Sequence, residues 1–206
     1  MYQFFFKRFF DVLLSLIGVI VFALPMVLIS VAILIDDPGP VFFCQERVGK
    51  GKKGFRLFKF RSMKVDTPNV ATHLLENPEQ YISRVGGFLR RSSLDELPQL
   101  FNILLGQMSI VGPRPALYSQ KDLLEERDRY GANDVLPGLT GWAQVNGRDE
   151  LEISEKAKLD GEYVKRLSFF FDAKCFLKTI GCVFRGDGVV EGGTGGKPKQ
   201  NLEESE

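Results

Sequence analysis

Twenty-four consecutive residues without a charge, Val12 to Ile35, constrain this chain more than any other feature. As a helix the run would be ~36 Å long, enough to cross the ~30 Å hydrocarbon core of a bilayer. A cleaved leader fits poorly, because the run is too long and no small-x-small site follows it. Two basic residues, Lys7 and Arg8, precede it, whereas eight lie between Arg47 and Lys64 with no acid among them. The positive-inside rule therefore keeps the following domain cytoplasmic. A straight span would carry Lys7 and Arg8 across the membrane. Pro25, near the middle, offers another route: it removes a helix hydrogen bond and clashes with the preceding turn. A helix bent there can enter and leave by one face, and this re-entrant hairpin is the favoured reading. A straight span and a buried core helix of a soluble protein are the alternatives.

The chain is long enough for one globular unit, since 206 residues with 44% hydrophobic content can bury a sizeable core. Net charge is only +1, so the cluster from Arg47 to Lys64 says more than the total. It predicts anionic partners: phosphates, lipid headgroups or nucleic acid. Three cysteines, an odd count without a C-x-x-C pair, argue against a disulfide framework and a zinc site and suit a reducing compartment. The single histidine, His73, sits in a polar, Pro-flanked stretch, which argues against a Ser/His/Asp triad, and one histidine cannot build a multi-histidine metal site. Chemistry must come from carboxylates, Lys, Arg or hydroxyls.

After the breaker cluster Asp36-Asp37-Pro38-Gly39-Pro40, "VFFCQERV" and "FRLFKF" flank "GKGKKG" and predict a β-hairpin. Alternation puts Phe55, Leu57, Lys59 and Arg61 on one face. Helices are predicted over about 78–91, 95–105, 119–130, 152–166 and 168–184. The last mixes phenylalanines with Lys174, Lys178 and Arg185, which suits a membrane interface as well as core packing. "PGLTGWAQVNGR", residues 137–148, is too rich in Gly, Asn and Gln for a core element and reads as a functional loop. The expected fold is α+β: mostly helical with a small β-hairpin, an N-terminal re-entrant membrane helix and interfacial amphipathic helices. It divides into residues 1–36, membrane-embedded; 37–186, a cytoplasmic catalytic domain; and 187–206, a flexible tail.

In "SSLDELPQL", residues 92–100, two carboxylates sit between serines and a proline. Ser93 and Glu96 fit a capping box, whereas Pro98 fits better with Asp95 as the N-cap. A helix N-terminus there favours ionised carboxylates and attracts phosphate. An ionised aspartate can attack a phosphoryl group when cations neutralise its oxygens, and Lys59, Arg61, Arg90, Arg114 and Arg148 are available. Adjacent carboxylates also suit Mg²⁺ alongside substrate phosphates. Prolines on both sides fix where Arg114 points. Simple capping without chemistry remains the alternative.

Together "KRFFD", "RVGKGKKGFRLFKFRSMK", "LRRSSLDELPQLFNILLGQMSIVGPRP", "LPGLTGWAQVNGR" and "LDGEYVKRLSFFFDAK" resemble the bacterial sugar transferases, the monotopic phosphoglycosyl transferases in their minimal form. The resemblance implies transfer of a sugar-1-phosphate from a UDP-sugar to a polyprenyl phosphate, such as undecaprenyl phosphate, with release of UMP. This step would initiate glycoconjugate assembly. It implies Asp95 as nucleophile through an aspartyl phosphosugar intermediate, Glu96 assisting, and Mg²⁺ held by Asp95 and Glu96. Arg90, Arg114, Gln144, Asn146 and Arg148 would contact nucleotide or phosphate, with Lys59 and Arg61 as further phosphate ligands. Pro25 would break the membrane helix. Leu24 precedes it where minimal family members have serine, so Ser15 or Ser30 is expected to satisfy the freed carbonyl. Membrane lipids, the bacterial inner membrane and downstream glycosyltransferases are the implied surroundings, and no nucleic acid is implied. A membrane-tethered polyanion-binding module without catalysis is the competing class, and a structural lipid scaffold a third.

Overall fold

The computed structural model of the chain describes residues 2–68, 77–147 and 151–185. Helices dominate and two small sheets join them, an α+β arrangement. The expected tail, 187–206, lies outside the described residues.

After a π-helical turn over Tyr2–Phe6, helix α1 (Lys7–Val21) is followed by α2 (Ala23–Asp36), with a break at Phe22. Among the described residues no single helix is long and apolar enough to cross a membrane. The pair is, by length and composition, and it is bent by 59°. The break lies ahead of Pro25 for a steric reason. The proline ring clashes with the carbonyl four residues back, here Val21, and has no N–H to offer it. α1 therefore ends at Val21, and Pro25 falls in the first turn of α2, where no donor is needed. The Ser15 and Ser30 hydroxyls bond the Val12 and Met26 carbonyls, so neither serves the carbonyl freed by Pro25.

The polarity of α1 is inverted relative to a helix in water. Lys7, Asp11 and Ser15, one turn apart, are its buried residues, while Leu13, Leu16, Ile17 and Ile20 face outward. In α2 only Ile33 is buried. A core helix of a water-soluble protein would bury the opposite set. The polar face fastens α1 to the rest of the fold: Lys7 pairs with Asp172 at 2.7 Å, and Asp11 accepts from the Ile110 N–H and the Ser109 hydroxyl. Arg8 donates to the Ile103 and Leu104 carbonyls.

Strands β1 (Phe42–Val48) and β2 (Gly54–Phe60) form the expected antiparallel hairpin, with Phe42 opposite Phe60. The helix expected over 78–91 is divided. A 3₁₀ turn at Pro78–Tyr81 precedes α3 (Arg84–Ser92), because Ser83 adopts extended backbone and its hydroxyl caps the Gly86 N–H. Next come α4 (Gln99–Leu104), β3 (Ser109–Val111) and α5 (Lys121–Asp128).

Residues 137–148 depart from the expected loop. Gly138–Thr140 is a strand, β4, which pairs parallel with β3, Ser109 opposite Gly138 and Val111 opposite Thr140. Its glycines mark close backbone contact: a Cβ on Gly138 would lie 2.1 Å from the Gly112 nitrogen. α6 (Ile153–Arg166) and α7 (Phe169–Arg185) complete the chain. α7 has two faces, one packed in the core and one exposed. Phe171 and Cys175 join Trp142, Tyr163, Leu57 and Met108 in the core, while Phe170 and Leu177 face outward.

Candidate active site

α3 ends at Ser93, whose backbone is left-handed at φ 56°, and a 3₁₀ turn over Leu94–Glu96 leads to Pro98 at the start of α4. Neither expected cap forms. Ser93 makes no side-chain bond to the turn, and α4 begins on Pro98 without a side-chain cap. Because Ser93 serves as the left-handed end of α3, the tight turn that follows leaves Asp95 and Glu96 available for other contacts. Both are buried, at 7% exposure each.

They face Lys59 of β2. Its Nζ lies 2.8 Å from Glu96 Oε1 and 3.6 Å from Asp95 Oδ2. Arg114 Nη2 reaches the same Glu96 oxygen at 3.0 Å. Burial raises the Asp95 carboxyl above its ordinary value; Lys59 opposes this, Glu96 adds to it, and Arg114 and Arg90 oppose it to a lesser extent. Glu96 thus engages the cations at hydrogen-bond length, while Asp95 is held close to them and largely desolvated. A carboxylate in that state is a stronger nucleophile than a hydrated one.

Asn102 sets this register. Fully buried in α4, it accepts from the Phe58 N–H at 2.9 Å and donates to the Arg56 carbonyl at 2.7 Å. The side chain acts as a short third strand on the edge of β2, which places Lys59 against the acidic pair. Arg90 reaches the site from α3, donating from Nε to the Ser62 hydroxyl at 3.1 Å. Gly86 allows that approach, since a Cβ there would lie 1.9 Å from the Ser62 carbonyl oxygen.

Among the described residues, the other expected site residues contact partners besides the acidic pair. Arg61 follows the end of β2 and donates to the Asp37 carbonyl, with the Asp37 carboxylate 3.5 Å away, so it braces the end of the helical pair. Gln144 donates to the Leu139 carbonyl and Asn146 to the Trp142 carbonyl, both within their own turn. Pro25 sits in α2 and Arg148 lies outside the described residues. Two arginines were absent from the predicted set. Arg47 of β1 is pushed down to about 10, by burial and then by the neighbouring Arg114 charge, and it donates to the Pro115 carbonyl at 3.2 Å. Arg127 of α5 donates to the Arg114 carbonyl at 3.0 Å. No periodicity marks either residue: Arg47 is one charge of the basic cluster, and Arg127 one charge of the helix predicted over 119–130.

The profile of one family, described as bacterial sugar transferase, matches residues 2–186. The chain belongs to that family. It is 40% identical over 185 residues to the undecaprenyl-phosphate glucose phosphotransferase of Komagataeibacter xylinus, covering 84% of this chain and 35% of the relative. It is 36% identical over 193 residues to the UDP-N-acetylgalactosamine-undecaprenyl-phosphate N-acetylgalactosaminephosphotransferase of Aeromonas hydrophila, covering 90% and 45%. The chain thus spans less than half the length of these two relatives. With the uncharacterized sugar transferase EpsL of Bacillus subtilis it shares 39% identity over 186 residues, and there 90% of each chain is covered.

Proposed function

We propose that this bacterial sugar transferase moves a sugar-1-phosphate from a UDP-sugar onto undecaprenyl phosphate, at the cytoplasmic face of the bacterial inner membrane. The observation that carries the reading is the pairing of a desolvated Asp95 with a Glu96 already neutralised by Lys59 and Arg114. Relatives named for transfer of glucose or N-acetylgalactosamine phosphates to undecaprenyl phosphate support it. The reaction would begin glycoconjugate assembly and hand its lipid-linked product to glycosyltransferases.

In the first step an Asp95 oxygen attacks the phosphorus that bears the sugar. The bond from that phosphorus to the bridging oxygen breaks, and UMP leaves with the electron pair. In the second step a phosphate oxygen of the lipid attacks the same phosphorus and displaces the Asp95 carboxylate. No net proton transfer is required. Lys59, Arg114 and Arg90 offset charge on the phosphoryl oxygens. Asp95 and Glu96 fit Mg²⁺, which takes one or two carboxylates and completes its shell with phosphates. Among the described residues no third His, Cys, Asp or Glu converges to make a dedicated cage. When bound, the ion would supply charge neutralisation of the diphosphate.

The bent pair α1–α2 places outward apolar side chains beside a polar face docked on α4, β3 and α7. A re-entrant seat in one leaflet satisfies both faces and keeps Lys7 and Arg8 on the cytoplasmic side with the basic hairpin. Outward Phe170 and Leu177 on α7 would rest on the same surface. Release of UMP from UDP-hexoses and UDP-N-acetylhexosamines, measured with undecaprenyl phosphate in detergent, tests the activity. Binding of these nucleotides without UMP release would favour the non-catalytic module instead.

A further inference from the structure

Arg114 lies in the turn Pro113-Arg114-Pro115, which cannot stabilise itself, because a proline nitrogen donates nothing. Every carbonyl from Pro113 to Ala116 is instead held by a different element. Gly138 N–H donates to Pro113 at 2.8 Å, Arg127 Nη1 to Arg114 at 3.0 Å, Arg47 Nη1 to Pro115 at 3.2 Å, and Val48 N–H to Ala116 at 2.9 Å. Two of the four donors are strand backbone. The other two are guanidinium groups reaching in from β1 and α5.

Arg127 is 4% exposed and carries its own counter-ion. Its Nε and Nη2 face Asp160 Oδ2 of α6 at 2.8 and 2.6 Å, and Asp160 is 1% exposed. The other oxygen, Asp160 Oδ1, is buried without a hydrogen-bond partner among the described residues. A buried pair that leaves an oxygen unpartnered is a poor stabilising device, because desolvating both charges offsets their attraction. Among the described residues, the hydrogen bond that carries the pair beyond itself runs from Nη1 to the Arg114 carbonyl.

We propose that the Arg127–Asp160 pair is a positioning device that aims the Arg114 guanidinium at Glu96 and at the phosphate bound beside it. The inference rests on the transferase reading above. Asp160 orients Arg127, Arg127 fixes the Arg114 carbonyl, and the flanking prolines pass that constraint to the side chain. Neither member of the pair touches substrate. Arg127→Lys keeps the charge opposite Asp160 but lacks the second arm of the fork. A misaimed Arg114 lowers kcat, since displacements of about 1 Å in a clamp cost up to ~100-fold.

A double-mutant cycle on UMP release by the full chain, with undecaprenyl phosphate and a panel of UDP-hexoses and UDP-N-acetylhexosamines, decides the matter. Arg127→Lys is expected to lower kcat/KM ~10–100-fold in the parent and less than ~2-fold once Arg114 is alanine. Asp160→Asn repeats the cycle without altering Arg127, and it stands alone if Arg127→Lys does not fold. Equal losses in both backgrounds, the result of a purely structural role, overturn the proposal. Full activity of Arg114→Ala also overturns it. A parent chain that releases no UMP from any of these donors sinks the transferase reading itself, an outcome distinct from additive losses in an active enzyme.

Discussion

The ammonium of Lys59 donates to Glu96 at 2.8 Å. The same group stops 3.6 Å from Asp95, so two neighbouring carboxylates sharing one cation are held differently. Glu96 organises positive charge, and Asp95 keeps the less encumbered oxygens for attack on phosphorus.

This division has a pH signature. Asp95 must be ionised to attack, and burial followed by the Glu96 charge lifts it above the ordinary aspartate value. kcat/KM should therefore fall as pH drops through a point higher than an exposed aspartate would give. Glu96→Gln removes a raising charge and releases Lys59 toward Asp95. The acid limb should move to lower pH while the plateau falls by ~10-fold or more. A limb that stays in place while the plateau falls would mean that Asp95 is not the titrating group.

Asp95→Asn should abolish turnover and stabilise the fold. With its folded value raised, the carboxylate holds its proton more tightly in the native state than in the unfolded chain. Its ionised form therefore opposes folding, absent in acid and growing as pH rises through the window between the ordinary and raised values. The amide removes this term, giving about 0.5–2 kcal/mol and a Tm higher by a few degrees near neutral pH. The gain should vanish in acid. A lower Tm at neutral pH contradicts the account.

Asn102→Ala orphans the N–H of Phe58 and the carbonyl of Arg56, both part-buried in their bonds to the Asn102 side chain. A cost of about 2–4 kcal/mol is expected, read from the urea midpoint. Because β2 carries Lys59, UMP release should also fall under conditions where the variant is folded.

The seating of α1–α2 can be read by labelling. Phe5→Cys and Lys50→Cys, each in a chain whose three native cysteines are replaced, flank the bent pair and are exposed. In inside-out vesicles a membrane-impermeant maleimide should modify both. Opposite accessibility of the two sites would establish a spanning pair.

The hairpin and most of the helices were legible because their signals are periodic. Phe42 to Val48 and Gly54 to Phe60 alternate around a glycine-rich tip, and the apolar stripe of residues 95–105 identifies α4 despite its later start. Misreadings fell where one composition serves two physical ends. Glycine marks loops and close backbone contact alike, so composition alone does not separate β4, where Gly138 lies against Gly112, from a loop. Ser93 and Asp95 fit capping patterns, yet Ser93 ends α3 in a left-handed turn without the glycine that usually marks one. The alternation that put Arg61 beside Lys59 ends with β2 at Phe60. Asn102 and Arg127 act through single side-chain bonds to backbone, which no period announces.

The central claim is that Asp95 becomes covalently bonded to the phosphorus bearing the sugar. The full chain mixed with a UDP-sugar it turns over, with lipid acceptor omitted, should release UMP up to the amount of enzyme. Intact-mass and peptide analysis should then place a sugar-phosphate adduct on Asp95, which disappears when undecaprenyl phosphate is added. UMP release that occurs only with the lipid present, with no adduct on Asp95 and full turnover by Asp95→Asn, would contradict it.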